Sequence, residues 1–383
     1  MAFGLACGCS YAAESLTSLR NAALVTIGGE VMTDLSWRRD SAEGIARALE
    51  LRRANLRIVA DAHPNVRAFF KLDLSDDGDR FRDAGILEEA MLVVGSLGGT
   101  GLDVFAGQGR APYGQNITLG MIQSYHHHAD HVDSSEGRIH IIDAPGVEIG
   151  GPGGRTGVVS EPRPGQIDRV VMAGASYEWD ERWRVEAAVF DPDDSYRSLW
   201  RRAASSRIDG GNDVGLAARA WWRPFEELTL TASAAHLRTS ALDGLPVAGR
   251  AAAVSATDDA WSVSLGFDWR SGPYRVFGEF QRAWDWGFVK GHDVTVAQLG
   301  ASREFLGSWR LGAMAEHMRV GGPLNDGARD RYWKLVLNLR YSFSGGAFVM
   351  LEYGHEAMRR TGNAGTATKR RGDLIGMRLG LLF

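Results

Sequence analysis

The chain has 383 residues, with 43 Lys and Arg against 47 Asp and Glu and a net charge of −4, a balance that points away from a nucleic-acid partner. Its 48 glycines and 12 tryptophans fall in an ordered pattern with 44% hydrophobic residues, which excludes a disordered protein. No run of about 18 apolar residues occurs, so a helical membrane span is excluded as well.

Residues 1–13 (MAFGLACGCSYAA) read as the remnant of a secretory signal, with Ala12 and Ala13 forming a cleavage-like site before Glu14 and with no basic n-region. A lipidated Cys7 or Cys9, or an ordinary N-terminal tail, are the alternatives. These two cysteines leave the rest of the chain thiol-free, which suits a periplasmic route. Residues 14–383 read as one domain without internal repeat.

From residue 24 onward the hydrophobic period is two, as in strands. Val66, Ala68, Phe70, Leu72 and Leu74 alternate with Arg67, Phe69, Lys71 and Asp73. Trp183, Val185, Ala187 and Val189 alternate with Arg184, Glu186 and Ala188. Trp261, Val263, Leu265, Phe267 and Trp269 enclose Ser262, Ser264, Gly266 and Asp268, and Trp333 to Phe343 repeats the scheme around Lys334, Asn338 and Arg340. The last run places Ile375, Met377, Leu379, Leu381 and Phe383 on one face and Gly376, Arg378 and Gly380 on the other.

The pattern predicts strands at 24–37, 49–61, 65–75, 85–95, 101–107, 168–178, 182–190, 212–223, 227–238, 259–270, 273–285, 292–302, 309–319, 331–343, 347–357 and 372–383. The strand at 49–61 changes phase near Arg53, which implies a bulge. Short linkers with turn chemistry, such as Ser271-Gly272 and Ser344-Gly345-Gly346, alternate with long ones rich in Asp, Arg, Gly and Ser.

A lysine or arginine facing mid-bilayer costs roughly 2 to 4 kcal/mol, so the charged face must be a lumen and the apolar, aromatic-ended face must meet lipid. The fold class is therefore all-β: a transmembrane antiparallel β-barrel of about sixteen strands in a bacterial outer membrane, with short periplasmic turns and long extracellular loops. Its last strand must pair with its first, and its terminal Phe383 is the expected signal to the barrel-assembly machinery.

Sixteen strands leave a water-filled lumen. Its predicted lining includes Arg67, Lys71, Arg184, Arg219, Arg223, Asp268, Arg270, Arg275, Glu279, Glu316, Arg340 and Glu352, with Glu30, Asp34, Asp73, Glu186 and Arg378 beside them. Neither sign dominates, and paired charges with a structural role are the competing reading. The preference for arginine over four lysines fits two-point capture of anions, and equally a high-GC genome.

His126, His127, His128, Asp130 and His131 form a candidate Zn, Cu or Ni site or a pH-sensitive gate, against the plainer reading of a polar loop. Asp76-Asp77-Gly78-Asp79 and Asp191-Pro192-Asp193-Asp194 lack EF-hand spacing, and a divalent bridge to lipopolysaccharide is weighed against a solvated loop. Gly150 to Gly154 reads as a hinge rather than a phosphate cradle.

The alternating strands, the rhythm of turns and loops, and terminal Phe383 make residues 22–383 resemble a bacterial outer-membrane porin of the sixteen-stranded kind. That resemblance implies a constriction loop after the fifth strand, where the longest connection (108–167) falls, and a homotrimer. Ala218, Ala220, Ala232 and Ala234 are the candidate trimer face. Glu88-Glu89-Ala90 followed by Phe105 to Gly114 is loosely similar to siderophore-associated porins. The expected function is passive diffusion of small hydrophilic solutes, with anion guiding as a refinement and no cofactor or catalytic residue. Siderophore or metal uptake, an adhesin barrel, or a hydrolase using Ser233 and His236 are the alternatives.

Overall fold

The computed structural model describes residues 24–40, 44–63, 65–74, 87–95, 97–109, 111–114, 147–150, 156–159, 170–191, 214–238, 259–285, 290–291, 293–321, 329–361 and 367–383. Residues 1–13, the His126–His131 cluster, and the acidic stretches at 76–79 and 192–194 lie outside these.

The described strands are β1 (Leu24–Asp40), β2 (Gly44–His63), β3 (Val66–Asp73), β4 (Leu87–Val94), β5 (Leu102–Gly109), β6 (Val147–Gly150), β7 (Thr156–Val159), β8 (Val170–Asp180), β9 (Trp183–Phe190), β10 (Val214–Phe225), β11 (Leu228–Arg238), β12 (Asp259–Ser271), β13 (Tyr274–Trp284), β14 (Asp293–Phe305), β15 (Trp309–Gly321), β16 (Arg329–Ser342), β17 (Ala347–Thr361) and β18 (Ala367–Leu382). All except β6 and β7 join one closed sheet in which each strand pairs antiparallel with its neighbours. The sixteen predicted strands are these sixteen.

β18 closes the barrel on β1, with Arg378 opposite Asp34 and Leu382 opposite Glu30. The closure runs to the last residue: Gly29 N–H donates to the Phe383 carbonyl at 2.7 Å and Phe383 N–H to the Gly29 carbonyl at 3.0 Å. A Cβ on Gly29 would stand 2.4 Å from the Asn55 carbonyl oxygen and 2.8 Å from the Phe383 ring, so the position admits only glycine without displacement.

The phase change also has its cause in the ladder. Met32 pairs with Arg53 and Thr33 with Leu51, so Arg52 is the extra residue of a bulge. Ile45, Leu49 and Leu51 are exposed on one side of it, while Asn55 and Arg57 are buried on the other.

Two differences from the sequence reading stand out. β2 begins at Gly44 and β18 at Ala367, earlier than the 49 and 372 expected, because hydrogen bonding continues past the apolar band on which alternation depends. The 108–167 connection also contains a hairpin, β6 on β7, where a loop was expected. Val147, Ile149, Thr156, Val158 and Val159 supply its β-branched residues.

The outer face carries the large apolar side chains, including Leu265, Leu299, Leu311, Leu337, Leu351 and Ile375. Aromatic rings border it at the short-turn rim. Trp179, Trp183 and Trp222 stack at centroid distances of 6.1 and 5.3 Å, and Trp309, Tyr341 and Phe343 continue at 4.8 and 4.7 Å. At the other rim His236 lies on Trp261 and His317 on Trp333. The ten residue steps from Trp333 to Phe343, at about 3.3 Å each and inclined by roughly 40°, span about 25 Å of height, the thickness of an outer-membrane apolar band.

Candidate functional site: the inner wall and the root of the long connection

The inner face inverts this chemistry. Glu30, Asn55, Arg57, Lys71, Glu89, Glu186, Arg219, Ser233, Ser264, Asp268, Glu279, Gln281, Glu316, Lys334, Arg340, Glu352, Glu356 and Arg378 are all buried there, on alternate positions of their strands.

Phenylalanines are accommodated on this wall by glycines directly opposite: Phe105 by Gly174, Phe190 by Gly215, Phe277 by Gly300 and Phe348 by Gly380. A Cβ at Gly215 or Gly300 would lie 2.1 Å from the facing ring. Each ring therefore lies flat over the neighbouring strand, which keeps its bulk out of the lumen.

Most predicted lining residues are held in pairs. Arg219 donates to Glu186 at 2.6 Å, and Arg184 stands 3.0 Å from the other oxygen of that carboxylate. Arg275 grips both oxygens of Asp268 at 2.8 Å, and Arg270 donates to Asp268 at 3.0 Å from the mouth side, where its side chain is 54% exposed. One carboxylate thus faces two guanidinium groups beside the short β12–β13 turn.

Arg378 makes a two-point pair with Asp34 across the closing seam, at 2.6 and 2.5 Å. Arg67 pairs with Asp61 at 2.5 Å. Gln298 donates to Glu316, and the Arg340 guanidinium lies 4.0 Å over the Phe348 ring. Lys71 and Glu89 occupy facing positions on β3 and β4. Arg223, by contrast, is exposed at the short-turn rim rather than within the lumen.

The most telling contact joins the wall to the segment after β5. Gly114 N–H donates to the Ser233 hydroxyl at 2.9 Å, and Arg219 donates to the Gly114 carbonyl at 3.2 Å. Gly114 has φ +74°, and a Cβ there would meet Glu279 at 3.0 Å and Gln281 at 3.3 Å. Tyr113, 1% exposed, faces Ser262 and Glu279, and burial pushes its phenol above the ordinary range, keeping it neutral. Residues 111–114 therefore cross from β5 to the inner surface of β10–β13 and hold the root of the long connection inside the barrel.

Sequence reasoning did not single out Arg57, Glu89 or Glu356 as lining, and it placed Lys334 on the charged face only as part of its strand's alternation. Once the phase is reset after Arg53, the alternation of Asn55, Arg57, Val59 and Asp61 with Leu56, Ile58 and Ala60 would have exposed Arg57. The docking of Tyr113 and Gly114 had no local signal, since its partners lie more than a hundred residues away. Ser233 and His236, weighed as a hydrolytic pair, lie on opposite faces of β11: Ser233 binds Gly114 inside, and His236 stacks on Trp261 and pairs with Asp259 at 2.8 Å outside.

A family described as Gram-negative porin matches residues 1–361. The outer membrane channel DcaP of Acinetobacter baumannii is 12% identical, with TM-score 0.60 over 96% of this chain and 100% of that one. OmpT of Vibrio cholerae, in vitro folded and in trimer form, is 14% identical, with TM-score 0.57 over 94% and 100%. OmpF of Salmonella typhi, solved with daunomycin, is 9% identical, with TM-score 0.58 over 96% and 100%. These three likenesses are likenesses of fold. No protein of curated function matches the sequence.

Proposed function

The chain belongs to the Gram-negative porin family and forms a diffusion channel of the outer membrane, and on that premise we propose that it passes small hydrophilic solutes through a lumen narrowed by the segment after β5. The observation that carries this reading is the docking of Tyr113 and Gly114 on β10–β13, which sets the first described residues of the longest connection against the inner wall. The short turns face the periplasm and the long connections the exterior.

Charge supports a weak preference for anions. Mid-lumen cations are matched by carboxylates, as Arg219 is by Glu186 and Arg378 by Asp34. At the short-turn mouth Arg270 and Arg275 share the single Asp268, so that cluster holds one more cation than anion, while the exposed Arg223 is accompanied by Glu226 and Glu227 of the adjoining turn. The role is passive transport.

A homotrimer fits the outer surface. Ala218 stands opposite both Ala234 and Ala187, and Ala187 opposite Ala175, so β8–β11 present a continuous row of small outward residues. That surface suits the flat apposition of a second copy, as no bulky chain interrupts the row. Cross-linking from cysteines introduced at Ala218 and Ala234 is expected to give trimers.

Liposome swelling tests the transport reading. Proteoliposomes are expected to swell in a pentose and much less in a tetrasaccharide. Equal exclusion of both sugars by folded protein would refute a channel for small solutes.

A further inference from the structure

The outer face of the β15–β18 wall carries an arrangement that transport does not use. Arg319 stands directly opposite Arg331, Arg331 opposite Arg359, and Arg359 opposite Lys369. All four point outward and are exposed, alternating with inward Met318, Lys334, Glu356 and their equivalents. Like charges in directly opposed positions repel. The row nevertheless crosses four strands without a carboxylate in register. The neighbouring outward carboxylates are engaged elsewhere, Asp293 near Arg282 at 3.9 Å and Asp373 with His355 and Tyr353 at 2.8 and 2.9 Å.

Its height is equally informative. Trp333, 58% exposed, lies one outward position below Arg331 and marks the upper edge of the apolar band. The cations thus stand at head-group level on the long-connection rim, where a Lys or Arg is stabilised by an anionic surface. With their Cβ atoms about 5 Å apart across strands, these side chains can converge on the oxygens of one phosphomonoester, each guanidinium able to donate two N–H bonds.

We propose that Arg319, Arg331, Arg359 and Lys369 form a docking site for the phosphorylated head group of an outer-leaflet glycolipid, whose acyl chains descend over Trp333 and Leu335. The proposal rests on the assignment of the long connections to the exterior.

The test uses the full chain in detergent, with native mass spectrometry reading the binding of three probes: diphosphorylated lipid A, the same lipid stripped of its phosphates, and inorganic phosphate. The folded protein is expected to retain phosphorylated lipid A at least tenfold more tightly than the stripped lipid, and inorganic phosphate at the same concentration is expected not to displace it. The triple variant Arg319→Gln, Arg331→Gln, Arg359→Gln should lose at least tenfold in that binding, Arg331→Gln alone about threefold, and Arg303→Gln at the opposite rim nothing. Unchanged single-channel conductance in the triple variant reports an intact barrel, so lipid binding is read independently of transport. Equal retention of the stripped lipid, displacement by inorganic phosphate, or unaltered binding by the triple variant would each overturn the site. The stripped-lipid comparison needs no variant.

Discussion

Arginine serves two different purposes on the two faces of this wall. Inside, Arg219 is buried, bonded to Glu186 and turned toward the Gly114 carbonyl, so its charge is consumed by the protein itself. Outside, Arg331 is exposed between two further arginines in register, with no carboxylate directly opposite it. The difference teaches that the location of a cation in the ladder, rather than its abundance in the sequence, decides whether it shapes the channel or meets a partner.

The contrast breaks most visibly when each arginine loses its charge. Arg219→Leu leaves Glu186 buried without its principal partner, and unfolding in micelles is expected to show a loss of about 3 kcal/mol. Arg331→Gln should change stability by less than about 0.5 kcal/mol. Comparable losses at both positions would erase the distinction. The double variant Arg219→Leu, Glu186→Leu is expected to regain most of the stability, since it removes both buried charges together.

A smaller effect sharpens the inner half of the comparison. Ser233→Ala removes the acceptor for Gly114 N–H and should cost about 1 kcal/mol. Its more specific consequence is excess open-channel current noise as the root of the long connection loosens. A channel as quiet as the wild type would show that Arg219 holds the segment alone.

The smallest expected effect concerns the mouth. Arg223→Gln with Arg270→Gln removes two exposed cations and should move the reversal potential in a salt gradient toward cation preference while leaving stability unchanged. An unaltered potential would place selectivity elsewhere in the lumen.

The sequence made the outer face legible because lipid imposes one rule on it. Leu335, Leu337 and Leu339 could not alternate with Lys334 and Asn338 unless one side met hydrocarbon, and strand identity, closure on Phe383 and the bulge beside Arg53 all followed from that rule. The rule stops where the bilayer stops. β2 and β18 extend beyond it among polar residues, and β6 and β7 lie in a connection whose residues were judged by composition alone.

The inner face obeys a looser logic, since water, a carboxylate or a backbone carbonyl can each satisfy an arginine. Alternation placed Arg219 inside, but its grip with Ser233 on Gly114 depends on a chain returning across the lumen, which no local pattern encodes. The outer arginine row was hidden for a related reason. Arg319, Arg331, Arg359 and Lys369 are separated by hairpins, and only the ladder aligns them.

Single-channel recording in planar bilayers tests the central claim most directly. Heat-modifiable, folded protein should insert in discrete ohmic steps whose conductance scales with bulk salt, as a water-filled sixteen-stranded lumen requires. Folded protein that inserts without such steps would contradict the account of an open diffusion channel.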